Sequence, residues 1–255
     1  MVYRLTDPSA AAPLFDGWEE TLIWSCLQGV MGAVYADSEE HPSSAMAIVA
    51  DFIFFAGVPN LELVRFRPEE HTGSYVLMIP QTEEWSSLIE SYYSGRCTRI
   101  VRYAIQKEPD VFDREKLTRL TENLPEGCRL RAIDEELFHY AKNTGWCSDW
   151  VRSYPDYETY RRLGFGFVLE KDGEIAAGVS AYTVYREGVE IEIDTHKDHR
   201  RHGYATICAA RMILEALDRG LYPSWDAANL WSVGLAEKLG YHFDHEYTTY
   251  EVYPY

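Results

Sequence analysis

One stretch constrains this chain more than any other. Glu190 to Ala205, EIEIDTHKDHRRHGYA, runs from a strand pattern through a basic turn straight into a helix. Glu190, Glu192 and Asp194 alternate with Ile191 and Ile193, so the carboxylates share one strand face and the isoleucines the other. Arg200-Arg201-His202-Gly203-Tyr204-Ala205 fits the pattern R/Q-x-x-G-x-G/A. A helix N-terminus offers unpaired backbone N–H groups and the positive end of the helix dipole. Gly203 lets the backbone come close to a ligand, Ala205 is too small to block it, and Arg200, Arg201 and His202 add positive charge. The stretch reads as a cradle for a pyrophosphate.

Strand-like and helix-like patterns alternate along the rest of the chain, which sets the class as α/β or α+β. In the first half, residues 17–28 have helical apolar spacing. Residues 29–36 and 45–56 read as a β-hairpin, and 74–79 and 98–106 as strands. Helices are expected after Thr82 and over 114–123. TENLPEG, residues 121–127, is the best linker, dividing a smaller N-terminal α/β domain (1–125) from a C-terminal domain (126–255). Beyond it come a strand at 128–133, a helix capped by Asp134 and helical residues 155–163. Strands 165–170 and 174–183 are joined by the tight Lys171-Asp172-Gly173 turn. A further strand at 188–195, helices at 205–219 and 229–239 stopped by Gly220 and Gly240, and aromatic-rich strand residues 241–253 complete the chain.

Composition excludes several classes. The net charge of −17 repels phosphate backbones, so nucleic acid is not an expected partner, and it gives mild support to a cationic small molecule. No run approaches the roughly 20 apolar residues of a membrane helix, so no membrane partner is expected. Five scattered cysteines without a CxxC pair indicate neither a disulfide framework nor a zinc site, and the expected setting is the cytoplasm. His199 and His202 lack metal-ligand spacing, so no metal is expected. No Gly-x-Ser-x-Gly elbow and no P-loop is present.

A second motif follows the cradle. Trp225-Asp226-Ala227-Ala228-Asn229-Leu230-Trp231-Ser232 leads into Leu235-Ala236-Glu237-Lys238-Leu239-Gly240-Tyr241. An Asn opening a helix that ends in EKLGY, placed after a pyrophosphate loop and its helix, resembles the GNAT superfamily of acyl-CoA N-acetyltransferases. PSWDAAN, Ser232 and LAEKLGY together resemble the subgroup that includes the zwittermicin A resistance protein, in which an added N-terminal α/β region precedes the transferase. The resemblance implies a central mixed, splayed sheet flanked by helices, with acetyl-CoA as co-substrate. It puts the pyrophosphate on the backbone of Arg201 to Thr206, with Arg200 adding charge. The pantetheine arm is expected along the backbone of Ile193, Asp194 and Thr195, with Asn229 hydrogen-bonded to it and Ser232 lining the channel. The reaction implied is direct attack of a primary amine, in a ternary complex, on the acetyl thioester.

An ammonium cannot attack, so a base must take its proton. Glu192 and then Glu190 are the candidates, as base or as anchor for the acceptor; a merely solvated strand face reads equally well. Backbone N–H groups near Ile193 are the implied oxyanion donors. The tyrosine that protonates the departing thiolate in the family falls at Ala236 here, leaving Tyr241, Ser232, water or an unassisted thiolate. Trp225 beside Asp226 is a candidate contact for a cationic acceptor. Three readings remain: acetylation of a small amine such as an antibiotic or polyamine, an acyl-CoA-binding regulatory module, or acetylation of a protein lysine. The chain is expected as a monomer or homodimer.

Overall fold

The computed structural model describes residues 1–69, 71 and 73–255. Clustering of contacts gives two compact units, residues 1–102 with 246–255, and residues 103–245.

The first unit is built on β1 (Tyr3–Arg4), β2 (Ala33–Ala36), β3 (Ser44–Val49), β4 (Phe52–Gly57), β5 (Val76–Pro80) and the start of β6 (Cys97–Ile105). Its helices are α1 (Thr21–Leu27), α2 (Leu61–Arg65) and α3 (Glu83–Tyr92). The apolar run expected as one strand over 45–56 is two. Ala50 turns with φ 51°, and β3 and β4 pair antiparallel from Val49↔Phe52 to Ser44↔Gly57. Both are buried along nearly their whole length, which explains why the run shows no alternation. β4 then pairs parallel with β5, the crossover being α2. Trp85 of α3 closes this core, stacked on Phe55 at 5.1 Å with its indole N–H donated to Gly57 O at 3.0 Å.

The second unit contains α4 (Arg114–Glu122), β7 (Cys128–Ala132), α5 (Glu135–Lys142), α6 (Tyr157–Leu163), β8 (Gly166–Lys171), β9 (Glu174–Tyr185) and β10 (Gly188–Thr195). It continues through α7 (Tyr204–Asp218), β11 (Tyr222–Ser224), β12 (Asp226–Ala227) and α8 (Leu230–Leu239) into β13 (Phe243–Val252). Its sheet runs β11-β10-β9-β8-β7, with β10–β11 parallel and the other pairs antiparallel. The fold is thus mixed α+β, as expected. Asp172 (φ 51°) and Gly173 (φ 89°) make the β8–β9 turn, both with the positive φ that such hairpins require. Asp134 caps α5 by accepting Leu137 N–H at 3.0 Å.

The expected division at residues 125/126 falls inside the second unit. The reason is packing: amphipathic α4 buries Leu117 and lies against α7, with Arg114 paired to Asp218. Lys116 Nζ donates to Lys238 O at 2.6 Å. The last ten residues belong to the first unit, where β13 pairs with β5 through Tyr250↔Met78 to Val252↔Val76. Tyr250 and Val252 are part of its core.

Candidate active site

The site starts from an interrupted pairing. β9 accompanies β10 along its whole length, from Gly188↔Tyr185 to Thr195↔Ala177. β11 accompanies it for three residues only, ending at Glu190↔Ser224. After Trp225 the chain turns away, and Asp226 and Ala227 pair instead with Ala104 and Tyr103. This is the splay that the sequence resemblance implied. From Ile191 to Thr195 one edge of β10 is left without a neighbouring strand among the described residues. A register shift in β9 beside Glu190 and Ile191 marks where the sheet bends away.

Donors on that edge can be identified. Ile193 N–H points away from β9 and donates to Glu192 Oε1 at 3.2 Å. The Glu192 carboxylate, half-buried, therefore lies along the open edge. Glu190 is 5% exposed, on the strand face opposite Thr183. Three phenols surround it. Burial above all, with the Glu190 charge contributing to each, pushes the Tyr185, Tyr222 and Tyr241 hydroxyls above their usual range. All three phenols have partners: Tyr185 with Ser224 Oγ at 2.8 Å, Tyr241, which donates to Pro223 O at 2.7 Å, and Tyr222, which accepts Glu108 N–H at 3.0 Å and donates to Gln106 O at 3.4 Å.

Asp194 meets a different neighbourhood. Burial first, then the charge of Asp149, pushes its carboxyl up to about 6; Arg200 opposes this, and the Trp150 indole N–H, which makes no close hydrogen bond, opposes it weakly. Asp149 and Trp150 arrive from the short 3-10 turn Ser148–Trp150 after α5. They fit because Gly178, cross-strand partner of Asp194, has no side chain: a Cβ there would sit 2.4 Å from the Trp150 ring. Sequence reasoning placed the Asp194 carboxylate on the acidic face of the strand and its backbone against the pantetheine arm, and missed Asp149. The available signal was Gly178, a lone glycine inside an apolar strand, which marks a close approach.

The turn after β10 takes the shape its residues allow. Arg201 (φ 65°) and Gly203 (φ 80°) both adopt the left-handed conformation. Gly203 is the residue before α7, which has no side-chain cap, so the first N–H groups of a fifteen-residue helix stay open. Nothing lies within 4 Å of where a Gly203 Cβ would be. Arg200, Arg201 and His202 are exposed, Ala205 and Thr206 half-buried, and Tyr204 is buried with His202 stacked on it at 5.5 Å. Exposed guanidinium groups around open N–H groups suit a pyrophosphate.

Asn229 caps α8, its Oδ1 accepting Ser232 N–H at 3.0 Å, so its amide N–H₂ is the part left to donate to a ligand. Ser232 Oγ accepts the Trp225 indole N–H at 3.0 Å. Trp225 itself is 3% exposed and packs on Tyr241 at 5.5 Å, so its ring is a wall of the core and offers no open face to a cation. Asp226 is half-buried in β12. Ala236 is fully buried, and the Tyr241 proton is committed to a backbone carbonyl, so neither supplies an acid to a thiolate. Among the described residues no group of three or more His, Cys, Asp or Glu is arranged to hold a metal ion. No described helix is long and apolar enough to cross a membrane.

A mixed sheet that splays beside an open helix N-terminus is a geometry that suits an extended, phosphate-bearing ligand along a strand edge. The profile of the GNAT acetyltransferases matches residues 12–250, and the chain belongs to that family. The matched span takes in most of the first unit as well. A GCN5-related N-acetyltransferase-like protein from Streptococcus suis is 40% identical and superposes with a TM-score of 0.90 over 96% of this chain and 98% of its own. The uncharacterized N-acetyltransferase YdfB of Bacillus subtilis (strain 168) is 26% identical over 247 residues, 92% of this chain and 91% of that protein. A tandem GNAT protein from the clavulanic acid biosynthesis pathway, 12% identical with a TM-score of 0.56 over 100% of this chain and 99% of that one, shares the fold. The chain is an acyl-CoA-dependent N-acetyltransferase.

Proposed function

We propose that the enzyme transfers the acetyl group of acetyl-CoA to the primary amine of a small molecule, within a ternary complex. The observation that carries this reading is the open edge of β10 leading into the open N-terminus of α7. The residues fit the co-substrate: a cradle with free space at Gly203, uncapped N–H groups, and donors on a strand edge. Acetyl-CoA supplies the activated acyl group. The backbone of Arg201 to Thr206 and the Arg200 side chain hold the pyrophosphate. Ile193, Asp194 and Thr195 hold the pantetheine arm, and the Asn229 amide donates to it. Ser232, already engaged by Trp225, shapes the channel wall.

Glu192 is the base in this reading, because it is the strand carboxylate that lies on the open edge. It takes the proton of the acceptor ammonium and frees Ile193 N–H for the developing oxyanion. Buried Glu190 anchors the amine electrostatically. With alanine at residue 236, the thiolate leaves without a phenolic acid. The resemblance of residues 223–241 to the zwittermicin A resistance subgroup supports an antibiotic or polyamine as acceptor over a protein lysine.

The test is the pH profile of Glu192→Gln, read as free thiol released from acetyl-CoA with a panel of amines. At neutral pH the rate should fall by about 10²-fold or more, the scale of a lost general base. It should recover as the pH approaches that at which the amine deprotonates itself. A variant as fast as the parent at neutral pH removes Glu192 as the base.

A further inference from the structure

The C-terminal half of α7 borders a cleft that the transferase reading does not use. Its volume is about 310 Å³, at the lower end of the range for small-molecule sites. Three arginines line it, Arg161, Arg211 and Arg219, together with the rings of Phe165, Phe167 and Tyr157. The Arg211 guanidinium lies 4.4 Å from the Phe167 ring centroid and that of Arg219 lies 4.1 Å from Phe165. Both arginines share one carboxylate: Arg211 Nη2 donates to Glu215 Oε2 at 2.5 Å and Arg219 Nε to Glu215 Oε1 at 2.9 Å.

The charges do not cancel. Burial acts against the Glu215 carboxylate, but hydrogen bonds from Arg219 and Arg211 hold it below the usual carboxylate range, so it stays ionised. Two guanidinium groups against one carboxylate leave one positive charge. Arg161 adds nothing net, because Glu158 answers it at 2.8 Å. A surplus cation in a cleft is contrary to the rest of a chain whose net charge is −17. Each guanidinium has five N–H donors, and Glu215 takes only part of them. With their faces held against phenyl rings, the arginines keep planar N–H edges that match a carboxylate.

We propose that this cleft binds a small planar organic anion, a carboxylate carried on a flat ring. The carboxylate meets the N–H edges of Arg211 and Arg219, and the ring lies against the half-buried Tyr157. Arg219 follows the last residue of α7, and the pyrophosphate cradle precedes the first. At 1.5 Å per residue Arg211 stands about 12 Å and Arg219 about 24 Å along the helix from Gly203, so the two sites can be filled together.

Benzoate is the probe. It is titrated by calorimetry into the full chain, alone and with CoA present, against inorganic phosphate and benzylamine as the non-planar anion and the reversed charge. Benzoate should bind with the same affinity whether or not CoA is present, and Arg211→Gln with Arg219→Gln should weaken it at least tenfold. Phosphate and benzylamine should bind at least tenfold more weakly than benzoate. The proposal is overturned if the parent does not bind benzoate, if the double variant binds it equally, or if phosphate or benzylamine binds as well. It is also overturned if CoA displaces benzoate, which would put the anion on the cradle. Should the double variant fail to melt cooperatively, Arg219→Lys keeps the charge and loses the planar fork; it should weaken benzoate several-fold, and unchanged affinity would refute the geometry. None of these readings depends on turnover.

Discussion

Gly203 combines two properties that make it a clean probe of the cradle. Its φ of 80° is left-handed, and the space a Cβ would enter is open. Valine there must adopt a conformation that costs about 1–2 kcal/mol, without any clash in the fold. Gly203→Val should therefore melt cooperatively, slightly below the parent, and lose CoA affinity at least tenfold by calorimetry. Asp194 gives a pH prediction. Its carboxyl is raised in the folded chain to about 6 from 3.8. Such a group contributes stability below the unfolded value and loses it as the pH rises through the folded one. Asp194→Asn should hence be the more stable protein at pH 8, by at most about 3 kcal/mol from 1.36 kcal/mol per unit. The gain should shrink as the pH falls from 6 to 4. Denaturant melts across that range check both sign and window. The residue scale also shows what one sequence can disclose. The basic turn Arg200 to Gly203 between a strand and a helix was legible because it is a local pattern. The neighbours of Asp194 come from Ser148–Trp150, more than forty residues upstream, and only the lone Gly178 announced them.

Elements carry the next scale. α8 starts with Asn229, which caps it with Oδ1 and, in the proposed reading, has its amide N–H₂ left to donate to CoA. Asn229→Ala loses both and should lower stability by about 1 kcal/mol as well as weaken CoA. Asn229→Asp keeps the capping oxygen and discards the donor. It should melt like the parent yet bind CoA more weakly, by several-fold or more; equal affinity would exclude the amide as a contact. Strands and helices with clear periodicity, such as β10 and α7, were visible in the sequence to within a residue or two. β11 and β12 were not. They are three and two residues long, with Pro223 in the first, and pattern alone cannot register a strand that short. Yet these two fragments create the splay. The division of residues 45–56 into β3 and β4 was hidden for the opposite reason: burial on both faces removes the alternation that would mark a turn.

For the whole molecule, the lesson concerns boundaries. TENLPEG looks like a linker by composition, but α4 before it is packed on α7 after it, and the chain's last strand returns to the first unit. A fragment of residues 126–255 should accordingly show no cooperative thermal transition, because it lacks the cover that Leu117 gives α7 and strands β13 away from β5. Circular dichroism melts of the fragment and the full chain check this. The same scale gives the open edge of β10 a second meaning. Unpaired N–H and C=O groups on a strand edge are a template for any other extended chain, and proteins usually blunt such edges with charge or cover. Here the Glu192 carboxylate lies along that edge, and a bound co-substrate would pair with the groups it guards. Cellular acetyl-CoA would then act as a solubility factor as well as a reactant, and starvation for it would leave this enzyme more prone to stick to its own copies.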